Sequence, residues 1–127
     1  MVRIQPKTQL ILGEGDYVIQ EMIVEILLKA GLNRADILAA NTITDVGRIF
    51  FSAKLSGIVL HSSIKESSVA RIIKTVRLNN SEIPIIVLTG DDAEDCAKAG
   101  ATKILQIERV SKDLVHALLE YGVVVSE

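Results

Sequence analysis

The chain has 127 residues, 49% of them apolar and 24% charged, which is enough for one domain with a real core and too apolar for a disordered segment. Its 14 Lys and Arg against 16 Asp and Glu leave a formal charge of -2, and two Tyr and two Phe give no aromatic platform, so broad electrostatic or stacking recognition of nucleic acid is excluded. A single cysteine, Cys96, cannot form an internal disulfide, no apolar run approaches the roughly 20 residues that cross a bilayer, and Met1–Lys7 leads into no apolar stretch of signal length. The expectation is a cytoplasmic protein without membrane insertion.

Five short apolar runs alternate with segments of helical spacing. The first, Thr8–Leu12, precedes a helix over Tyr17–Ala30, in which Val18, Met22, Ile23, Ile26, Leu27 and Ala30 recur at three and four. Asp16 is placed to cap its start, and Gly31 suits a left-handed end. Asp36–Ala40 is the second run, followed by a shorter helix with Thr44 or Asp45 at its cap and Val46, Ile49 and Phe50 inward. Gly57–His61 is the third; Ser67–Leu78 then sets Val69, Ile72, Ile73 and Val76 on one face before Asn79, Asn80 and Ser81 break the period. Pro84–Leu88 precedes a helix over Asp91–Ala99, whose first-turn acids complement the helix dipole and which stops at Gly100. Lys103–Gln106 precedes a last helix through Tyr121, capped by Ser111, with Leu114, Ala117, Leu118 and Tyr121 inward. Val123–Val125 are left over, too few to form a unit of their own.

Runs such as Ile85–Leu88, apolar on both faces, belong in a parallel sheet covered by helices on both sides. Such sheets bind ligands beyond the carboxyl ends of their strands, which directs attention to Gly13–Asp16, Ser62–Lys65, Thr89–Asp92 and Gln106–Arg109.

Three of these stretches, Leu10–Asp16 running into the first helix, Ile83–Gly90, and Ala97–Ala101, resemble the receiver domain of bacterial response regulators, of the chemotaxis-receiver type, and the resemblance covers nearly the whole chain. It implies a single receiver-like domain over 1–127 with its core at about 8–121. The implied fold is α/β: one doubly wound five-stranded parallel sheet, the flavodoxin-like (βα)5 receiver fold, in strand order 2-1-3-4-5. It also implies a place in two-component signal transduction and phosphorelay. In that family an acid pair after the first strand helps hold magnesium, an aspartate ending the third strand accepts phosphate, and a Thr or Ser after the fourth and a Lys after the fifth bind the phosphoryl group. Carried over position by position, Glu14 matches the first acid and Gly15 the second, with Asp16 one place later. Ser62 falls on the phosphoacceptor, Thr89 on the hydroxyl, Ile107 on the lysine, Glu108 on the proline after it, and Ile104 on the aromatic switch position.

Receiver phosphorylation needs a carboxylate nucleophile, a divalent cation and a further cation on the equatorial oxygens. With Gly15, Ser62 and Ile107 at three of these places, the chain resembles a pseudo-receiver: a protein-interaction module independent of phosphorylation, not an enzyme, with no cofactor and no metal. Glu14 and Asp16 are the acids placed to hold a metal, and they read instead as cap and dipole residues. His61 reads as a packed histidine on an apolar strand, with Ser62 pointing to the opposite face. Ser62 and Ser63 read as serines satisfying local backbone, Cys96 as a small packed residue, and Asp91, Asp92, Glu94 and Asp95 as a solvated acidic corner. The expected partner is a protein: a signalling kinase, an output protein, another receiver, or a second copy in a homodimer. The face of the fourth helix, fifth strand and fifth helix would offer Glu94, Lys98, Lys103, Gln106, Arg109, Lys112 and His116, and the first-helix side Tyr17, Gln20 and Glu21. Two alternatives stand beside this reading: a flavodoxin-like domain that binds or transforms a small ligand at the strand ends, and a divergent receiver phosphorylated at a nonstandard acid. The Ile107–Glu108 peptide bond is expected to be trans, because a cis bond without proline costs about 2.5 to 4 kcal/mol.

Overall fold

A computed structural model describes residues 4–6, 9–52, 54–64, 68–89 and 93–126. Its elements in chain order are β1 (Ile4–Pro6), β2 (Gln9–Gly13), α1 (Tyr17–Lys29), β3 (Ile37–Ala40), α2 (Ile43–Ser52), β4 (Leu55–His61), α3 (Val69–Asn79), β5 (Ile85–Thr89), α4 (Ala93–Ala99), β6 (Lys103–Gln106), α5 (Val110–Glu120) and β7 (Val124–Ser126). The apolar runs become one parallel sheet in the order β3-β2-β4-β5-β6, which is 2-1-3-4-5 among its own strands. Leu10 lies opposite both Ile37 and Gly57, Ile58 opposite Ile85, and Ile86 opposite Lys103.

Because successive strand side chains face opposite ways, the sheet divides the apolar residues into two layers. Leu10, Leu12, Val59, Ile86 and Leu88 meet Ile23 and Leu27 of α1 and Leu114 and Leu118 of α5. Ile11, Ile58, Leu60, Ile85 and Val87 meet Val46 of α2, Ile72, Ile73 and Val76 of α3, and Cys96 of α4. Each such side chain, once fully buried, contributes about 1.5 to 3 kcal/mol. No helix among the described residues is long and apolar enough to cross a membrane.

Several boundaries differ from the sequence pattern for local reasons. The cap of α2 is Thr42, not Thr44 or Asp45: its Oγ1 accepts the Asp45 N–H at 3.1 Å. A short 3-10 turn, Ile107–Arg109, feeds into α5, so that helix begins before Ser111, with Arg109 at its cap position and no side-chain cap bond. On α1 the buried stripe is Gln20, Ile23, Val24 and Leu27, while Val18 is 76% and Met22 43% exposed. The expected starts at Ser67 and at Asp91–Asp92 lie outside the described residues. Gly31 and Gly100 take positive φ of 111° and 116° just past α1 and α4, where a side chain would strain the backbone.

Val123–Val125 are more than a remnant. Val124–Ser126 pairs antiparallel with Ile4–Pro6, and Val123 and Val124 are buried in the α1 and α5 layer. A Cβ at Gly57 would sit 2.7 Å from both Cγ atoms of Val123, so the glycine makes room for the chain's return.

Candidate functional site

The site grows from the carboxyl ends of β2 and β4. The Glu14 N–H donates to the Ala40 carbonyl at 2.9 Å, extending the β2 to β3 pairing by one residue and turning the Glu14 side chain inward, where it is fully buried. Asp16, two residues on, caps α1: its Oδ1 accepts the N–H groups of Val18 at 2.8 Å and Ile19 at 3.2 Å. β4 ends on His61, paired with Leu88, and the chain then turns, with the Ile64 N–H donating to the His61 carbonyl at 3.1 Å. That turn delivers two side chains to Glu14.

Glu14 Oε1 accepts the Asp16 N–H at 2.9 Å and the Ser63 hydroxyl. His61 Nδ1 stands over the carboxylate, 3.2 Å from Oε1 and 2.9 Å from Oε2, the latter off the line of a hydrogen bond. Ser63 Oγ lies 2.8 Å from the same nitrogen and accepts the Gly15 N–H at 3.3 Å. Ser63 donates its hydroxyl to Oε1 and its backbone N–H to His61 Nδ1 at 3.3 Å, while Glu14 Oε2 makes no hydrogen bond. A serine-histidine-acid relay needs the two imidazole nitrogens for two different partners; here serine and acid meet the same one, so Ser63 is held, not activated.

Gly15 completes the closure. A Cβ there would lie 2.2 Å from the Ser63 carbonyl oxygen and 3.2 Å from Ile64 Cα, both backbone, and one at Gly13 would lie 3.0 Å from Ile64 Cδ1. The Ser63–Ile64 segment therefore occupies the space that an acid at position 15 would need. Magnesium, which the resemblance implies, does not fit these residues. It requires six oxygens in near-octahedral geometry. Of the acids at this strand end among the described residues, Glu14 accepts the Asp16 N–H and the Ser63 hydroxyl on Oε1 and has the single His61 Nδ1 against both oxygens, and Asp16 is spent on the cap.

The other expected positions are dispersed. Ser62 is exposed, donates its backbone N–H to the Leu88 carbonyl at 3.3 Å, and does not reach Glu14; the side chain at that place is His61. Thr89 is fully buried at the end of β5. Ile107 sits half-buried against the α1 and α5 layer, whereas Ile104 packs into the opposite layer, and Glu108 is exposed. All peptide bonds among the described residues are trans, Ile107–Glu108 included. Glu94, Lys98, Lys103, Gln106, Arg109, Lys112 and His116 are all exposed, with Lys98 paired to Glu94 at 3.1 Å and Arg109 to Asp113 at 3.2 Å. On the α1 side, Tyr17 is 66% exposed, Glu21 pairs with Arg34 at 3.6 Å, and Gln20 turns inward. Val18, Met22 and Ile26 of α1 face Ile107 and Val110 across an open groove of about 820 Å3.

The sequence reading missed the joining of His61 and Ser63 to Glu14. The available signal was two polar residues, His61 and Ser63, at spacing two after an apolar strand, the spacing that puts side chains on one side.

This architecture is the receiver fold. The chain aligns with a response regulator receiver domain from Clostridium thermocellum at a TM-score of 0.80 and 20% identity, covering 90% of this chain and 93% of that one. It aligns equally well, at 0.80 and 17% identity over 90% and 98%, with the response regulator TrrA from Thermotoga maritima, solved with magnesium and beryllium fluoride. The receiver domain of a sensor histidine kinase from Pseudomonas aeruginosa, with magnesium in its active-site cleft, matches at 0.78 and 20% identity over 90% and 97%. No protein-family model matches the sequence, and no curated protein matches it.

Proposed function

We propose that this chain is a signalling module of receiver fold that works by binding a protein partner and is not switched by aspartyl phosphate. The observation that carries the reading is the closed carboxyl end of β2 and β4: Glu14 is engaged by His61, Ser63 and Asp16, and the Ser63 carbonyl fills the space beside Gly15. The hydrophobic Ile107, in the lysine's place, lends it further support. Phosphoryl transfer would lack the nucleophile and both cations.

Binding has two candidate surfaces. The α4, β6 and α5 face is polar and partly self-paired through Lys98–Glu94 and Arg109–Asp113, so it suits a charged partner or a second copy of the chain. The α1 side carries exposed apolar side chains, Tyr17, Val18 and Met22, beside the groove to Ile107, and contact area of that kind supports docking of a kinase or output protein. Incubation with magnesium and acetyl phosphate tests the reading directly. Mass spectrometry should find no base-labile phosphoryl adduct, and an adduct on any acid at the strand ends would replace it with a divergent phosphoacceptor.

A further inference from the structure

We infer that the turn from His61 to Ile64 is a built-in plug, which does for Glu14 what a divalent cation does in a receiver-like acid pocket and holds this end of the sheet in one arrangement with no ion bound. The inference rests on the reading above for its meaning in signalling, and on geometry for everything else. Three kinds of contact point the same way. Electrostatically, the fully buried Glu14 receives the Asp16 N–H and the Ser63 hydroxyl on Oε1 and has His61 Nδ1 against both oxygens, with Oε2 making no hydrogen bond, so polar groups of the chain itself crowd the carboxylate. Sterically, the Ser63 carbonyl covers Gly15, and Ile64, 4% exposed, seats its side chain over Gly13 in the α2 and α3 layer. Along the backbone, Ser62 donates to Leu88 and Ile64 to His61, which fixes the turn independently of the side chains.

A cation approaching Oε2 meets the His61 nitrogen at 2.9 Å, and one approaching Oε1 must displace a hydroxyl and a backbone N–H. The plug therefore couples the ends of β2 and β4 permanently, where an ion-built pocket would couple them only when loaded.

The test uses the full chain, isotope-labelled, with manganese as a paramagnetic probe and magnesium as its diamagnetic control. In wild type, the amide signals of Gly15, Asp16 and Ser63 should keep their intensity with manganese, and the thermal midpoint should be the same in chelator and in millimolar magnesium to within about 1 °C. His61→Asp sets a second carboxylate against Glu14 and removes a donor; its midpoint should fall in chelator and recover by about 3 °C or more with manganese, with broadening at Gly15 and Asp16. Ser63→Ala should lower the midpoint without gaining a cation response. Broadening at Gly15 and Ser63 in wild type, or a wild-type midpoint raised by either cation, overturns the plug. So does a Ser63→Ala midpoint equal to wild type, and these results decide the matter even if His61→Asp does not fold. A base-labile phosphoryl adduct on a wild type that shows no broadening would sink the functional reading and leave the plug standing; broadening without an adduct would do the reverse.

Discussion

Glu14 and Arg77 are both charged side chains drawn into packed parts of the domain, at opposite ends of the parallel sheet, and they are held in opposite ways. Glu14, beyond the carboxyl end of β2, is met by His61 at the end of β4, by Ser63 in the turn after it and by the Asp16 N–H. Arg77, near the end of α3, reaches the segments that precede the amino ends of β5 and β6. Its Nε donates to the Gly100 carbonyl at 2.9 Å, Nη1 to the Ile83 carbonyl at 2.7 Å, and Nη2 to Thr102 Oγ1 at 3.1 Å, while Thr102 Oγ1 also accepts the Ile85 N–H at 2.9 Å. Partial burial pushes the Arg77 pKa down, through loss of solvent around the charge. Its acceptors are mostly main-chain carbonyls, whose position follows from the chain's path, so the guanidinium acts as a staple between α3 and the two loops. The Glu14 cluster, made of side chains, lies where doubly wound sheets place their ligands. The lesson is that one end of the sheet is tied mainly by main-chain acceptors while the end where such sheets place ligands is closed mainly by side chains.

The largest effect should come from cutting the staple. Arg77→Ala leaves the Gly100 and Ile83 carbonyls without their donor and should cost about 3 kcal/mol in denaturant unfolding, with Arg77→Lys recovering only part. A loss under about 1 kcal/mol would mean that water replaces the guanidinium freely. At the other end, Gly15→Asp should cost about 2 kcal/mol, because the added Cβ meets backbone at 2.2 Å and the turn must move. Because Ser62 is exposed while His61 stands against Glu14, Gly15→Asp and Ile107→Lys combined with Ser62→Asp should phosphorylate less than the same pair combined with His61→Asp, read by the base-labile adduct from acetyl phosphate. Ser63→Ala should cost about 1 to 2 kcal/mol, and Ser62→Ala less than about 0.5 kcal/mol, a contrast that locates the closure on one of two adjacent serines. Smallest in stability is Val18→Ser on the exposed α1 face, within about 0.5 kcal/mol of wild type; retention of a partner on an affinity column should nonetheless fall if α1 is the docking side.

Much of the architecture was legible because it is periodic. The strand at Lys103–Gln106, the start of α1 at Tyr17, the Asp16 cap and the glycines after α1 and α4 all follow from local spacing and backbone preference. Local rules misled at α2, where the sequence reading set the cap at Thr44 or Asp45 and the hydrogen bond from the Asp45 N–H puts it on Thr42. On α1, Val18 and Met22 are exposed against the expected stripe because apolar residues surround much of that helix, and the sheet decides which of them it covers.

The candidate site was legible only through the resemblance, which sets Glu14, Gly15 and Ile107 position by position against the acid pair and the lysine of receivers. The substitute arrangement depends on residues 47 and 49 positions away from Glu14, and on a turn whose geometry turns Ser63 back toward β2 while Ser62 faces out. Likewise, Val124–Ser126 found its partner at Ile4–Pro6 only because the finished sheet brings the two ends of the chain together. Local sequence determined the alternation of strands and helices, since hydrophobic period and backbone preference act within a few residues. Tertiary structure decided which groups meet the buried carboxylate, because hydrogen bonding across the chain is a property of what meets in space.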